Sequence, residues 1–438
     1  MKRFVKMSLL SAALTCLSSE IVAHAQTHPV SPSFYPRNFS GMGDIALIAN
    51  ENGVSGGELY TIINTRVADK PIVTVHDVMG HVLSATFSPD GAWLWTRVSS
   101  GNSATSWVVS ANGRTRYKLA EGAENLTWLA HGHTLIYSRA NIIYRMTPGS
   151  NPVTLSIHLP QNSVISGLSF SAGDQNAAVS ITRNSGNITK WYDQIGVWNR
   201  SSGAWRPIVT ASAPNGLILG PFARNGQSLF YWDDPMHSAS ILADGVPLHN
   251  LNLSGKNQVI GHTFATDQSI QPFGADLAVV WQSHSRYLFA GPKTIAIWPG
   301  ATIPVGKSSV QLDPALSSSG DLAYVEGKED NQMIQSNRNW MRFIESLKLA
   351  TYNLNTHKTN IITAAGSGVM TPYFNGNGSR IVFVRQNAVM WVTATNRGPA
   401  HLIAKNGAAS PGSSQYGSKR AFMIADVLAT PQGLNSNR

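Results

Sequence analysis

The sequence predicts an all-β protein, specifically a β-propeller of seven or eight four-stranded blades. Three observations support this prediction: a hairpin pattern that recurs along the chain, further short strands after most copies, and little helical periodicity. One copy, at residues 85–96, reads ATFSPDGAWLWT. A polar turn with Gly or Asn between two β-prone runs predicts a hairpin, because these residues accept the positive φ of a tight turn.

Weaker copies of this hairpin combine an apolar or aromatic residue, a polar turn and a second apolar run. They occupy residues 39–49, 126–138, 168–180, 221–232, 272–281, 314–325 and 372–384. Most are followed by a third strand and often by a fourth. Four short antiparallel strands that recur about every 40 to 60 residues are typical of propeller blades.

A degenerate last hairpin at about residues 410–427 is expected to complete the first blade and close the ring. Whether it does so decides between seven and eight blades. The one helical segment is predicted at 337–349, where four apolar residues share a face. These are Trp340, Phe343, Ile344 and Leu347.

The N-terminus has the pattern of a secretory signal peptide. Basic residues precede an apolar run at 7–17, and Ala23 and Ala25 form a small-x-small cleavage pattern. We therefore predict a signal peptide at 1–25, a single propeller domain at 26–438, and a secreted, periplasmic or cell-envelope location. The alternatives are a retained anchor or a lipid on Cys16, although the residues before Cys16 fit a lipobox poorly. Cys16 is the only cysteine, so cleavage would leave no disulfide.

Composition restricts the class of partner. Charged residues make up 13% of the 438-residue chain, and the formal net charge is +10. No run of Lys and Arg resembles a nucleic-acid-binding arm, so we predict no nucleic-acid partner. An excess of bases over acids favours an anionic surface or polymer, or an acidic protein, as partner.

Most of the common catalytic signatures are absent from the sequence. It contains no His-Glu-x-x-His, no P-loop and no dinucleotide-binding fingerprint, and we predict no cofactor. A single Gly-x-Ser-x-Gly match, at residues 53–57, lies in a glycine-rich polar stretch. His131 and His133 lie in a predicted turn without an adjacent carboxylate, and a stable metal site usually needs more ligands, so no metal site is predicted. Asp233 and Asp234 are the nearest candidates for a glycosidase-like carboxylate pair.

The hairpin FSPDGAWLW resembles the Ser-Pro-Asp-Gly turn of TolB-like propeller repeats, a group related to WD repeats. The other copies retain fragments of this turn, and the resemblance covers nearly the whole predicted mature chain. It implies the propeller fold but not one function, since such propellers serve as scaffolds, binding modules and substrate gates. TolB has a small α/β domain before its propeller, whereas the repeats here begin soon after the predicted signal, so the role of TolB is not transferred.

In propellers that this chain resembles, the end of the second strand of each blade opens onto the face that usually binds ligands. Polar residues end the apolar run of that strand in every copy, and the charged ones are Arg97, Arg139, Arg183, Asp233, Glu326 and Arg385. Arginine binds phosphate or carboxylate in a bidentate manner, so these positions are candidate ligand contacts. The alternative is that polar residues simply mark the exit of each strand to solvent.

The loops predicted after these positions add aromatic and cationic candidates. They are Lys190, Trp191, Tyr192, Asp234, His284, Arg286, Tyr287, Arg338, Trp340 and Arg342. Aromatic rings supply contact area, and nearby cations orient a ligand. This combination suits a polyanionic glycan or an acidic peptide. For Trp191 and Trp340, packing between blades is the alternative.

These observations favour an exported, monomeric, non-enzymatic binding or scaffold protein for an extracellular polymer or a protein partner. The alternative is a propeller hydrolase or lyase that acts on polysaccharide. Such an enzyme would need two acidic side chains to lie close together in space. The candidates are Asp193, Asp233, Asp234, Glu326, Glu329 and Asp330. A structural ring without a small-molecule site is a third possibility.

Overall fold

A computed structural model describes residues 33–34, 45–50, 58–63, 72–76, 81–100, 103–111, 115–184, 191–235, 245–265, 269–273, 277–283, 293–300, 302–305, 309–317, 319–328, 336–375, 378–385, 388–405 and 423–429. The chain divides into two compact units. Unit 1 comprises Met1–Leu119, Ala315–Gly327 and Met341–Arg438, and unit 2 comprises Ala120–Pro314 and Lys328–Trp340. The predicted signal peptide lies outside the described residues, and the predicted domain boundaries stay a prediction.

The first sixteen strands are short and follow one another closely. They are β1 (Ser33–Phe34), β2 (Ile45–Asn50), β3 (Glu58–Ile63), β4 (Ile72–His76), β5 (His81–Phe87), β6 (Trp93–Ser100), β7 (Ser103–Ser110), β8 (Arg116–Lys118), β9 (Ala123–Trp128), β10 (Leu135–Arg139), β11 (Ile142–Met146), β12 (Val153–Leu155), β13 (Ser163–Phe170), β14 (Ala177–Asn184), β15 (Trp191–Trp198) and β16 (Trp205–Ser212).

The second half continues this pattern and adds a single helix, α1 (Asn337–Ser346), within the described residues. Its strands are β17 (Gly216–Phe222), β18 (Ser228–Asp234), β19 (Val246–Asn252), β20 (Asn257–Thr263), β21 (Ile270–Phe273), β22 (Leu277–Ser283), β23 (Lys293–Trp298), β24 (Ser309–Leu316), β25 (Asp321–Lys328), β26 (Lys348–Asn353), β27 (Lys358–Ile361), β28 (Val369–Phe374), β29 (Arg380–Arg385), β30 (Ala388–Thr393), β31 (His401–Lys405) and β32 (Met423–Ala429).

The described strands form eight sheets, which confirms the predicted all-β fold of repeated four-stranded blades. Six sheets have four strands, in the orders β5-β6-β7-β8, β9-β10-β11-β12, β13-β14-β15-β16, β17-β18-β19-β20, β24-β25-β26-β27 and β32-β2-β3-β4. The sheet β21-β22-β23 has three strands, and β28-β29-β30-β31 gains β1 as a fifth. Most neighbours in each sheet are consecutive in sequence, as short polar turns between apolar runs require.

Both ends of the chain contribute strands to sheets in unit 1. The C-terminal strand β32 pairs with β2, with Leu47 opposite Val427, and so supplies the first strand of that four-stranded sheet. Near the N-terminus, β1 pairs with β31 through Ser33 and Lys405. Residues 410–422 of the expected C-terminal hairpin lie outside the described residues.

In five sheets the turn between the first two strands is closed by the same backbone hydrogen bond, from the N–H of its first residue to the carbonyl five residues later. In the β5–β6 turn, the Ser88 backbone N–H donates to the Trp93 carbonyl at 2.7 Å, and the Trp93 N–H donates to the Ser88 Oγ at 3.0 Å. The fourth turn residue has a positive φ in each of six sheets. These residues are Gly91, Gly132, Asp174, Gly226, Gly320 and Gly378. The copies therefore share few identical residues, but all six need a residue that accepts a positive φ at the fourth turn position, and that residue is Gly or Asp.

Two glycines in these turns give a direct test of that requirement. Gly132 has φ +67°, and a Cβ there would have no atom within 4 Å. Replacement by alanine therefore creates no steric clash, and its whole energetic cost is the strain of holding alanine at a positive φ. We expect Gly132→Ala to lower the free energy of unfolding by about 1 kcal/mol in urea titrations. Gly173→Ala is the control, since Gly173 lies outside the left-handed region and its Cβ would make only ordinary contacts. Equal effects of the two changes would contradict the turn geometry.

In unit 2, neighbouring sheets pack through their apolar faces. One cluster joins β10 to β13 and β14 and contains Ile136, Ile165 and Val179. Further along the chain, Phe230, Trp232 and their neighbours on β18 pack against residues of β21 and β22. The Trp232 indole N–H is also satisfied, because it donates to the Thr263 Oγ1 at 2.6 Å. Neighbouring sheets cover both faces of such a sheet, so large aromatic side chains on either face of a strand are buried.

The helix is shorter than the predicted 337–349. It ends at Ser346, because Lys348 begins β26 and pairs with Glu326 of β25. The expected apolar face is present in part, since Phe343 and Leu347 are buried. No helix among the described residues is long and apolar enough to cross a membrane.

Candidate functional site

In the second strand of several blades, a charged residue comes two positions after a large apolar residue. Pairs of this kind are Trp95 and Arg97, Tyr137 and Arg139, Ile181 and Arg183, Tyr231 and Asp233, Tyr324 and Glu326, and Phe383 and Arg385. Residues two apart in a strand lie on the same face of the sheet. The apolar member is mostly buried in packing, and the charged member is half-buried or exposed.

Arg183 of β14 lies directly opposite Tyr192 of β15 in the strand pairing. The centre of its guanidinium is 4.9 Å from the centroid of the Tyr192 ring. Both side chains are half-buried, and the Arg183 side chain makes no hydrogen bond or ion pair to another described residue. The face of the guanidinium is thus held by a ring while its N–H groups remain for an anion.

Asp193, next to Tyr192, is fully buried. The Thr182 hydroxyl donates to its Oδ1 at 2.5 Å, and the backbone N–H of Leu217 donates to its Oδ2 at 3.1 Å. Because Leu217 belongs to β17, this carboxylate joins the sheet β13–β16 to the sheet β17–β20. Asp193, a candidate acid for a polysaccharide hydrolase or lyase, is therefore a buried strand residue that joins two sheets.

Asp233 and His249 form the centre of a polar network on the sheet β17–β20. The His249 Nε2 lies 3.0 Å from the Asp233 Oδ2, and the His249 Nδ1 lies 3.2 Å from the Asn257 Oδ1. Tyr231 stacks on the imidazole with ring centroids 4.6 Å apart, and its hydroxyl is 2.7 Å from the Asn257 Nδ2. Burial raises the pKa of Tyr231 to about 12, so its hydroxyl keeps its proton at neutral pH.

The two neighbouring aspartates do not form a carboxylate pair. Asp233 lies on the face of β18 that carries Tyr231, whereas Asp234 lies on the face that carries Trp232, because successive side chains alternate. The Asp233 side chain is 41% exposed and Asp234 is buried. Asp233 lies next to the end of β18, where the sequence predicted it, whereas Asp234 is in β18 rather than in the predicted loop. Trp191 and Tyr192 are likewise in strand β15.

In unit 1, Arg385 is engaged in a structural contact. Its Nη1 donates a hydrogen bond to the carbonyl of Ala365, in the connection between β27 and β28. Gly366 lies against the same guanidinium, since a Cβ there would be 2.6 Å from the Arg385 Nη1. Arg385 therefore orients a loop, which weakens its case as a ligand contact. Arg97 and Glu326 are half-buried but lie within their strands, because β6 continues to Ser100 and β25 to Lys328, so the prediction that they end the second strand is wrong.

The remaining candidates are placed only in part. Arg338 and Arg342 are exposed and one helical turn apart on α1, and Trp340 is on the same helix, with its side chain outside the described part. Four candidates lie outside the described residues: Lys190, His284, Arg286 and Tyr287. His131 and His133 lie in the turn between β9 and β10. Within the described ranges, no group of three or more His, Cys, Asp or Glu side chains is placed to hold a metal ion.

No family model matches the chain, and no curated protein matches it. Among solved structures, the dipeptidyl peptidase 4 of Porphyromonas gingivalis is similar with a TM-score of 0.53 and 9% identity, over 92% of this chain and 62% of the peptidase. The chain has a β-propeller fold. Identity this low shows the fold alone, and the chain spans less than two thirds of the peptidase.

Two further solved structures are similar at lower TM-scores. An oligogalacturonate lyase in complex with manganese has a TM-score of 0.43 and 10% identity, over 89% of this chain and 88% of the lyase. TolB from Acinetobacter baumannii has a TM-score of 0.36 and 12% identity, over 82% of this chain and 63% of TolB. We transfer no activity from either protein.

Sequence reasoning did not find His249 or Asn257. Neither belongs to a motif, and strand pairing brings His249 of β19 to Asp233 and Asn257 of β20 to His249. One signal was available in the sequence. In the second strand of six blades, a charged residue comes two positions after an apolar one. It predicts the strand position of Asp233 but not its partner.

Proposed function

We propose that the protein is an exported, non-enzymatic binding protein for an anionic extracellular polymer, with Arg183 and Tyr192 in its ligand site. The observation that supports this most is the guanidinium of Arg183, stacked at 4.9 Å on Tyr192 without an ion-pair partner among the described residues. Export is proposed from the N-terminal sequence pattern, and the monomeric state is part of the same proposal.

Charge and position give further support. The net charge of +10 attracts anionic polymers in general. Arg139 is exposed at the end of β10, in the sheet that packs against β13–β16. Two arginines at equivalent strand ends of neighbouring sheets suit a ligand with repeated anionic groups, because each arginine binds one group.

The alternative proposal, a polysaccharide hydrolase or lyase, has no comparable support in the described residues. Asp193 is buried and both of its oxygens accept hydrogen bonds, while Asp233 and Asp234 lie on opposite faces of one strand. Glu329 and Asp330 are outside the described residues. We therefore argue for binding rather than catalysis.

The test is binding of the mature chain to teichoic acid, polyuronate and heparin across a salt series. We expect Arg183→Ala to weaken binding about tenfold, since a bidentate charge-assisted contact contributes about 1.4 kcal/mol. Arg183→Lys should lose most of the same affinity, because an ammonium lacks the planar donor geometry. Arg206→Ala is the control, an exposed arginine on the outer strand β16.

The outcomes separate specific binding from general charge attraction. Loss with Arg183→Ala and not with Arg206→Ala supports the proposed site. Equal losses with both variants would show that net charge alone drives binding. No binding to any anionic polymer would reject the proposed ligand class.

A further inference from the structure

The face of the sheet β13–β16 that carries Arg183 also carries other polar side chains at the same end of the sheet. One row across the four strands consists of Ser163, Arg183, Tyr192 and Ser212, each directly opposite the next. Directly opposite residues lie on the same face of a sheet. The inner member, Ser163, is buried, whereas the outer member, Ser212, is exposed, so this row opens to solvent towards the outer strand β16.

The neighbouring row on the same face carries a hydrogen-bonded pair of polar side chains. Gln194 comes two residues after Tyr192 in β15 and lies opposite Thr210 of β16. The Gln194 Nε2 donates a hydrogen bond to the Thr210 Oγ1 at 3.1 Å. Gln194 is half-buried and Thr210 is exposed, so a ligand on this face can reach both side chains.

The pair is close enough to Arg183 to contact the same ligand. Because Arg183 is opposite Tyr192, Gln194 is the diagonal neighbour of Arg183 on this face. Diagonal neighbours of an antiparallel pair are about 7 to 8 Å apart, within the reach of long side chains. Tyr192, whose ring centroid is 4.9 Å from the guanidinium centre, is a neighbour of both residues. The strand register therefore places cation, ring and polar pair in one patch.

The pair leaves one acceptor and one donor for a ligand. The Gln194 Oε1 accepts no hydrogen bond from a described residue, and the Thr210 hydroxyl, which accepts from Gln194, donates to none of them. Their mutual hydrogen bond holds the two groups side by side. Since a sugar hydroxyl both donates and accepts, two neighbouring hydroxyls of one ring match this pair. One donates to the Gln194 Oε1, and the other accepts from the Thr210 hydroxyl.

We propose that Gln194 and Thr210 bind the hydroxyl groups of a sugar whose anionic group is bound by Arg183. This inference rests on the proposed function and specifies its ligand as an acidic polysaccharide, in which carboxylates and ring hydroxyls occur together. An anionic polymer without ring hydroxyls, such as polyphosphate, would engage Arg183 alone. Gln194 and Thr210 thus determine specificity, and Arg183 supplies the charge-assisted contact.

The test separates charge from hydroxyl groups with three probes of equal length. They are a hexamannuronate, the same hexasaccharide with its hydroxyls O-methylated, and the same hexasaccharide with its carboxylates reduced to alcohols. We expect the wild type to bind the hexamannuronate about tenfold more tightly than the O-methylated form in titration calorimetry, because methylation removes two neutral hydrogen bonds. Arg183→Ala should weaken binding of both acidic probes and leave their ratio unchanged.

Variants of the pair have a readout that a merely structural role would not move. Gln194→Ala and Thr210→Val should each lower the preference from about tenfold to about threefold, while Thr210→Ser, which keeps the hydroxyl, should retain it. Gln258→Ala removes an exposed glutamine from the outer strand β20 and should leave the preference unchanged. A structural role would weaken binding of all probes equally. Circular dichroism of each variant confirms that it is folded.

The outcomes separate this inference from the proposed function. Equal affinity of the wild type for the two acidic probes, or a preference that survives both Gln194→Ala and Thr210→Val, overturns this inference, while a loss with Arg183→Ala still supports the proposed function. A preference that depends on Gln194, combined with full binding of the carboxyl-reduced probe and no effect of Arg183→Ala, supports the hydroxyl contacts and rejects the anionic ligand. No binding of any probe overturns both.

Discussion

Asp193→Ala is expected to lower the free energy of unfolding by about 3 kcal/mol, because it removes acceptors from two donors. The Leu217 N–H donates to Asp193 from the neighbouring sheet, and the Thr182 hydroxyl donates to it from the neighbouring strand. Alanine removes the acceptor of the Leu217 N–H, which is buried, and that of the Thr182 hydroxyl, which is half-buried. Urea titration with tryptophan fluorescence measures the loss.

Two matched variants show whether the loss comes from these hydrogen bonds. Asp193→Asn retains one carbonyl oxygen and the volume of the side chain, so it should cost about half as much. Glu121→Ala removes an exposed carboxylate and should change stability by less than about 0.5 kcal/mol. A loss below about 1 kcal/mol for Asp193→Ala would mean that water replaces the carboxylate between the sheets.

Gly196→Ala is expected to cost about 3 kcal/mol for a steric reason. A Cβ on Gly196 would lie 2.5 Å from the Trp205 Cε2 and 2.6 Å from the backbone oxygen of Arg206. The ring cannot move aside freely, because its indole N–H donates to the Val179 carbonyl at 3.1 Å across the strand that contains Gly196. The Arg206 oxygen is part of the β15–β16 ladder.

Gly261→Ala is the control for this change. Gly261 also lies within a strand, but its Cβ would approach no atom closer than 3.4 Å, and the nearest is the end of the flexible Gln282 side chain. We expect that variant to lose less than about 1 kcal/mol. Similar midpoints for the two variants in thermal or urea unfolding would contradict the position of Trp205 over Gly196.

The periodic features of the chain were predictable from sequence because they depend on local chemistry. A Ser-Pro-Asp-Gly turn, or a variant with Gly or Asp at the fourth position, meets the same positive φ in each blade. Alternating apolar residues then specify two faces. As the pattern indicated, Arg139 ends its second strand, and Arg183 and Asp233 lie one residue before the end of theirs. Where a local signal conflicted with pairing, as at residues 347–349, the strand prevailed and the helix ended early.

The partners of the candidate residues were not predictable from sequence, because strand pairing brings them from distant parts of the chain. Asp193 was a candidate catalytic acid by residue type, yet its carboxylate accepts a hydrogen bond from the Leu217 N–H of the next sheet and so joins the two sheets. Arg385 had the same sequence pattern as Arg183, but only Arg385 is tied to a loop carbonyl.

The sequence by itself determined the repeated four-stranded sheet, the turns that join its strands and the strand ends at which charges occur. Local φ preferences and the alternation of apolar residues are sufficient for these features. Only the tertiary structure decided which of those charges are available to a ligand. That outcome depends on burial and on hydrogen bonds between sheets, such as the bond from the Leu217 N–H to Asp193.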